Sequence, residues 1–282
     1  MTTLQTTDRH SIAENRDIFV ARFFLGGARP HIRKTTVEAP WLSLGILENM
    51  NPMVFYESRL FSNLNIIAGA DTSLGHGLIH GYLAGSAEIQ IKRAVKNLNA
   101  LPAEEIIFYH DESLCGLAQA GEMGLSLAFT PVSLLQWLVR ILEENRKKLR
   151  PLGLTVAVQL PCSTASGTDR NEFIDRIFEL TGVTRVSRKF DRGNRICCAA
   201  RGYYGIVSFD AEKDADVADK AVTRNIEDAQ KAGAGVLVTL CPMCFAALAP
   251  AARATGLIPL QIESLVNLAL YGEALPEGLI FS

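Results

Sequence analysis

Apolar positions along this chain come in two patterns: short bursts bounded by glycine and proline, and longer stretches in which they recur every three or four residues. The bursts, about four to eight residues long, read as buried strands, and the longer recurrence reads as one face of a helix. Residues 18–25 are on this basis a strand running into Gly26 and Gly27. A less regular stretch follows through Pro40 and Trp41. Residues 65–70 give a short second strand with a glycine break, and Asp71, Thr72 and Ser73 are types that cap a following helix. Ile89, Ile91, Ala94, Val95 and Leu98 predict a helix over 87–99, and 105–109 is a buried-type strand that delivers His110, Asp111, Glu112, Ser113, Leu114 and Cys115 at its C-terminal end. In an α/β sheet that end is where ligands collect. A loop then leads to Pro131, which opens an amphipathic helix with Leu134, Leu135, Leu138, Ile141 and Leu142 on one side and the charged run 143–148 at its close.

The second half runs in the same way. Residues 154–160 predict a strand ending at Pro161 and Cys162, 173–180 a helix stopped by Gly182, 213–230 a helix with a solvated Asp- and Lys-rich face, and 235–240 a strand ending at Cys241. The order helix, strand, motif, helix is shared by 91–117 and 222–246, an internal repeat that places Cys115 on Cys244 and Glu112 on Cys241. Farther on, 131–135 parallels 259–265. Upstream, 19–27 parallels 156–163, and 65–68 takes the place of 195–198. The expected organisation is a polar arm over 1–16, a first unit over 17–150 and a second over 151–282. The fold class is α/β, with two pseudo-repeated domains, each a small mostly parallel sheet flanked by helices.

Composition narrows the function classes. Of 282 residues, 48% are hydrophobic, enough for a buried core without covalent staples, and the formal charge of −2 leaves no basic surplus for nucleic acid or an anionic membrane. No apolar run approaches the ~18 residues of a membrane span. The start is polar and mixed in charge, unlike a secretory signal, so the expected compartment is the reducing cytoplasm. In that setting cysteines read as metal-binding or redox-active before they read as a disulfide framework.

Five of the six cysteines lie in the second half: Cys162, the adjacent Cys197 and Cys198, and Cys241 and Cys244 either side of Pro242 and Met243. The closing Cys-x-x-Cys lets both thiolates ligate one centre from a strand-to-helix turn, where helix N-terminal amides stabilise negative sulfur. Adjacent cysteines seldom reach one small ion without strain. Five thiolates also exceed the four ligands of a structural zinc or an ordinary cubane cluster, which implies something larger or less regular.

This order of cysteines, duplicated in outline, resembles the CCG (cysteine-rich) domain family, above all the B-type subunit of heterodisulfide reductase, over nearly the whole chain from about Phe19 to Leu270. The resemblance implies a noncubane 4Fe–4S cluster, one per chain, held by Cys162, Cys197, Cys198, Cys241 and Cys244, at which a thiol, disulfide or protein-bound persulfide sulfur is handled. It also implies partners, a ferredoxin-like C-type subunit and a flavin-bearing A-type subunit, since the chain has neither a Gly-x-Gly-x-x-Gly fingerprint nor a ferredoxin-type cysteine run. Ala199 stands where the family usually has glycine after the double cysteine. The first half keeps one thiol, Cys115, so a single-cluster protein resembling the bacterial sulfur-oxidising complexes is expected. Arg195 and Arg201 are placed beside the motif to steer an anion.

Two further readings stay open at this level. His76, His80, His110, Glu112 and Cys115 surround the place where the repeat would put a first cluster, and imidazole suits zinc there. The five-cysteine set is also compatible with a structural zinc-binding subunit, or with a quinone-linked electron-transfer subunit of the lactate- or glycolate-oxidising type.

Overall fold

Short β-branched runs become the strands of two sheets, and the stretches of three-to-four periodicity become helices that cover them. The computed structural model describes residues 31–36, 38–45, 54–55, 58–74, 84–161, 170–200, 211–273 and 275. The expected arm over 1–16 and strand over 18–25 lie outside the described residues, as do His76, His80, Cys162 and Arg201.

The first sheet contains β1 (His31–Arg33), β2 (Trp41–Gly45), β3 (Asn65–Ala68), β4 (Glu105–Phe108) and β5 (Thr130–Ser133), with helices α1 (Ala84–Asn99), α2 (Asp111–Glu122) and α3 (Leu134–Glu144). The second contains β6 (Thr155–Gln159), β7 (Thr184–Arg185), β8 (Val236–Thr239) and β9 (Ile258–Gln261), with α4 (Asn171–Thr181), α5 (Ala211–Lys231), α6 (Pro242–Ala254) and α7 (Ile262–Tyr271). Strand orders are β1-β3-β2-β4-β5 and β7-β6-β8-β9. Every pairing is parallel except β1 with β3. Without the antiparallel edge strand β1, the two orders are the same, so the expected duplication is present in the topology.

The strand ladders also correct its register. Ile106 faces Pro131 in one half and Leu237 faces Pro259 in the other, and each strand is followed by a helix N-cap four residues on, His110 for α2 and Cys241 for α6. His110 therefore occupies the place of Cys241, and Ser113 that of Cys244; Glu112 and Cys115 do not. Residue types alone match sulfur to sulfur, whereas the backbone is matched by hydrogen bonding. Likewise β2 is the counterpart of β6, and β3 that of β7 rather than of 195–198. Trp41 to Gly45, irregular in its residue pattern, is a fully buried central strand whose apolar, serine and glycine mixture lacks alternation. Pro131 and Pro259 lie in edge strands and open no helix; an edge position tolerates the missing N–H. Asp71 and Thr72 belong to a short 3-10 turn rather than capping a helix.

Period-2 alternation sorts each sheet's side chains onto two faces. Trp41, Ile67, Ile106 and Phe108 pack with residues of α1 and α2. Ala157 and Leu237 pack with residues of α5 and α6. The opposite faces of both sheets, Leu42, Leu44, Ile66 and Ile107 from one and Val156, Val158, Val236 and Val238 from the other, join residues of α3, α4 and α7 in one continuous core. No helix among the described residues is long and apolar enough to cross a membrane.

Candidate thiol centre

In the second sheet the chain leaves β6 for β7 on one side and returns past it to β8 on the other, so the order reverses between β6 and β8. Such switch points, at the carboxyl ends of parallel strands, form the crevice where α/β sheets bind ligands. Cys241 follows β8 at this position as the N-cap of α6, with Pro242 and Cys244 both in the first turn. Cys162, which follows β6 in sequence, lies outside the described residues. Cys197 and Cys198 come from the segment between β7 and α5.

Cys198, Cys241 and Cys244 are buried, while Cys197 is exposed. Their ionisations are linked in a chain: Cys197 acts on Cys198, Cys198 on Cys244, Cys244 on Cys241, and the imidazole of His110 on Cys241. Hydrogen bonds from Cys197 and Cys244 push the Cys198 thiol well down. Cys241 is brought down to about 6 by the Cys244 hydrogen bond first and by His110, against the opposing effect of burial. Cys244, between two sulfurs that ionise more readily, is pushed up and keeps its proton. The backbone N–H of Ala199 donates to the Cys197 sulfur at 3.3 Å, and Ala199 itself has φ +65°, in the left-handed region. The glycine expected from the family resemblance is explained by that backbone shape.

A buried polar network holds the double-cysteine segment. Gln159, the last residue of β6, donates to the carbonyls of Leu160 (2.8 Å) and Ile196 (3.1 Å). Asn225 of α5 donates to Gln159 Oε1 at 2.5 Å. The Arg188 guanidinium, its side chain 1% exposed, donates to Asn225 Oδ1 (2.9 Å) and the Val158 carbonyl (2.7 Å) and lies 4.0 Å from Asp228. The carbonyl next to Cys197 is thus tied to the strand that ends at the switch point.

The first half reaches the centre through the end of β4. His110 is 7% exposed; its Nδ1 accepts from the Glu112 N–H at 3.2 Å and lies 3.6 Å from the Glu112 carboxylate, while Nε2 is buried with no completed hydrogen bond. Burial alone would lower its pKa, but the charges of Cys241 and Glu112 outweigh it and raise the imidazole to about 10. The neighbouring Asp111 is paired with Arg170 at 3.0 Å, both side chains buried. Tyr109 donates to Glu263 at 2.5 Å and accepts from Gln261 at 3.3 Å. Burial raises the Glu263 carboxyl to about 7.

His110 and Glu112, read from the sequence as part of a separate first-half site, therefore lie against the cysteine set, with His110 facing Cys241. Cys115 is half-buried on α2, one turn beyond Glu112. Among the described residues no group of three or more His, Cys, Asp or Glu side chains is arranged to hold a metal ion. The donor set is one of sulfur, spread over two segments and walled by the alanines and leucines of the α5 and α6 core. Thiolates in such surroundings fit the ligand chemistry of an iron–sulfur cluster. Sequence reasoning missed Gln159, Asn225, Arg188, Tyr109 and Glu263. Two carried a signal: Gln159 is a polar residue closing an apolar strand, and Asn225 interrupts the stripe Val222, Ile226, Ala229 on the buried face of α5.

Residues 156–249 match the family model described as CCG, cysteine-rich domain. No curated protein matches the chain. Among solved structures, a hypothetical protein from Helicobacter pylori is similar with a TM-score of 0.58 and 11% identity, covering 96% of this chain, which spans 56% of that one. Glutamate racemase isoform RacE1 from Bacillus anthracis (13% identity, 86% of each chain, TM-score 0.40) and an aspartate racemase from Picrophilus torridus (11% identity, 86% of this chain and 98% of that one, TM-score 0.37) are more distant. The first likeness shows the fold alone, and the racemases carry no argument about this chain.

Proposed function

We propose that the chain is an iron–sulfur redox subunit of a heterodisulfide reductase-like complex, in which Cys162, Cys197, Cys198, Cys241 and Cys244 hold one noncubane 4Fe–4S cluster that handles a thiol, disulfide or persulfide sulfur. The observation that carries the reading is the gathering of Cys197, Cys198, Cys241 and Cys244 at the switch point of a parallel sheet, inside the segment that matches the cysteine-rich family. When bound, the cluster supplies a redox-active iron site with affinity for sulfur.

The chain's own residues prepare that site. The N-terminus of α6 favours negative charge on Cys241, and the lowered pKa of Cys198 and Cys241 makes two ligands ready as thiolates. Burial of Cys198, Cys241 and Cys244 keeps water from one side, and the exposed Cys197 marks the side open to a sulfur substrate, with Arg195 half-buried beside it. Electron exchange with ferredoxin-like C-type and flavin-bearing A-type subunits in the cytoplasm completes the proposal and rests on the family resemblance.

Anaerobic purification with iron and sulfide analysis, followed by EPR before and after adding a thiol, tests it. About four irons per chain and a thiol-dependent signal are expected. Fewer than about two irons in protected protein, or a colourless protein with a stoichiometric zinc, would remove the proposal.

A further inference from the structure

Of the first-half side chains at the thiol centre, His110 is the one that lowers Cys241, and its role follows from which of its nitrogens carries hydrogen. His110 Nδ1 faces Glu112, accepting from the backbone N–H at 3.2 Å with the carboxylate at 3.6 Å. If the ring is neutral, an accepting Nδ1 leaves the hydrogen on Nε2. If the ring is charged, both nitrogens carry hydrogen. Nε2 is a donor in either state and is buried without a completed hydrogen bond, on a ring whose charge acts on Cys241. A metal-ligating Nε2 would instead need its lone pair, with Nδ1 donating to an acceptor; here Nδ1 receives a backbone N–H.

We infer that His110 is a positioning residue for the thiol centre, donating an Nε2–H hydrogen bond to the Cys241 sulfur and so favouring the more negative, reduced state of whatever cluster that sulfur ligates. This deepens the proposed function and rests on it. The duplicated topology shows how the residue came to hand: His110 stands at the N-cap after β4, the place Cys241 holds after β8. One half supplies a ligand from that position and the other a donor. Hydrogen bonds to cluster sulfurs set reduction potential.

Two variants separate donation from capping. In His110→Asn, the side-chain oxygen can still accept from the Glu112 N–H, so α2 keeps its cap, but nothing reaches Cys241. In His110→Gln, the longer amide returns an N–H to about the position of Nε2. All three proteins are loaded anaerobically, analysed for iron, and titrated by EPR at controlled potential. His110→Asn is expected to retain iron and, at the potential where the wild-type protein is half reduced, to show a reduced to oxidised ratio about tenfold lower, a shift of about 59 mV for a one-electron couple. His110→Gln is expected to remain within about twofold of wild type, on the same scale. An exchangeable proton coupled to the cluster should vanish in His110→Asn. An unchanged potential in His110→Asn, equal shifts in both variants, loss of iron from a folded His110→Asn, or direct imidazole coordination would overturn the inference while leaving the cluster in place. A wild-type protein that holds no iron would overturn the proposed function and this inference with it.

Discussion

At the residue scale the tension in this site lies between burial and charge. Ala199 illustrates how closely such effects balance. A left-handed alanine costs about 1–2 kcal/mol, whereas glycine there would forfeit the burial of a methyl, about 0.8 kcal/mol, and add about 0.5–1 kcal/mol of chain entropy. The terms nearly cancel, which explains why alanine is tolerated where the backbone calls for glycine. Glu263 is less balanced, because its carboxyl is buried against Tyr109 and raised from 4.5 to about 7. A folded pKa above the unfolded one means that the native state binds the proton more tightly, so the stabilising contribution is complete below the unfolded value and lost as pH rises through the folded value. Unfolding free energy should therefore fall between about pH 4.5 and 7 by as much as about 3 kcal/mol from this group. Urea denaturation of wild type and Glu263→Gln across that range checks it: the difference between the two should shrink or reverse as pH rises. Parallel curves would show that Glu263 does not titrate there.

At the scale of elements, most helices and strands were legible because hydrophobic periodicity is local. Helix α4 is an example, with Ile174, Ile177 and Phe178 on one face and Gly182 closing it at φ +65°. Pairing is not local, and it decided what was misread. Pro131 and Pro259 look like helix starts in sequence, yet each occupies the outermost strand of a sheet. The same limit hid the support of the double cysteine, since Gln159, Arg188 and Asn225 come from three separate segments. Asn225→Leu tests that support. The substitution keeps the volume and suits the apolar neighbours Val222 and Ile226, but it leaves the Arg188 guanidinium and the Gln159 amide short of partners. Unpartnered buried polar groups cost about 1–3 kcal/mol, and more when charged, so urea unfolding should show a loss of at least about 2 kcal/mol. The segment carrying Cys197 should also exchange its amide hydrogens faster than in wild type. A loss under about 0.5 kcal/mol, the usual range of neutral substitutions, would mean the network is not what holds the segment.

At the scale of the whole molecule, the two halves repeat one topology but do not have one core each. The largest apolar cluster takes the inner faces of both sheets together with α3, α4 and α7. Arg176 of α4 pairs with Glu143 of α3, and Tyr109 at the end of β4 is bonded to Glu263 in the first turn of α7. The sequence announced the duplication, because the order helix, strand, motif, helix recurs although the cysteines do not, but nothing in it pointed to His110 crossing to the other half's cysteines, since contacts between repeats leave no periodic trace. Separating the halves would expose the valines of β6 and β8 and the face of α3 carrying Leu134, Leu135 and Leu138. At about 25 cal/mol for each Å² of apolar surface, exposure of that core outweighs the stability of an ordinary domain, about 5–15 kcal/mol. Neither half should then persist once the other unfolds. Both tryptophans, Trp41 and Trp137, belong to the first half and are buried, so their fluorescence follows the unfolding of first-half elements, Trp41 from the face under α1 and α2 and Trp137 from the shared core. In a urea titration its midpoint should coincide with that of hydrogen-exchange protection in β6 and β8. Two separated midpoints, with the second-half strands still protected after the tryptophans become exposed to solvent, would show instead that the halves fold independently, and that the contact between His110 and Cys241 joins two separable domains.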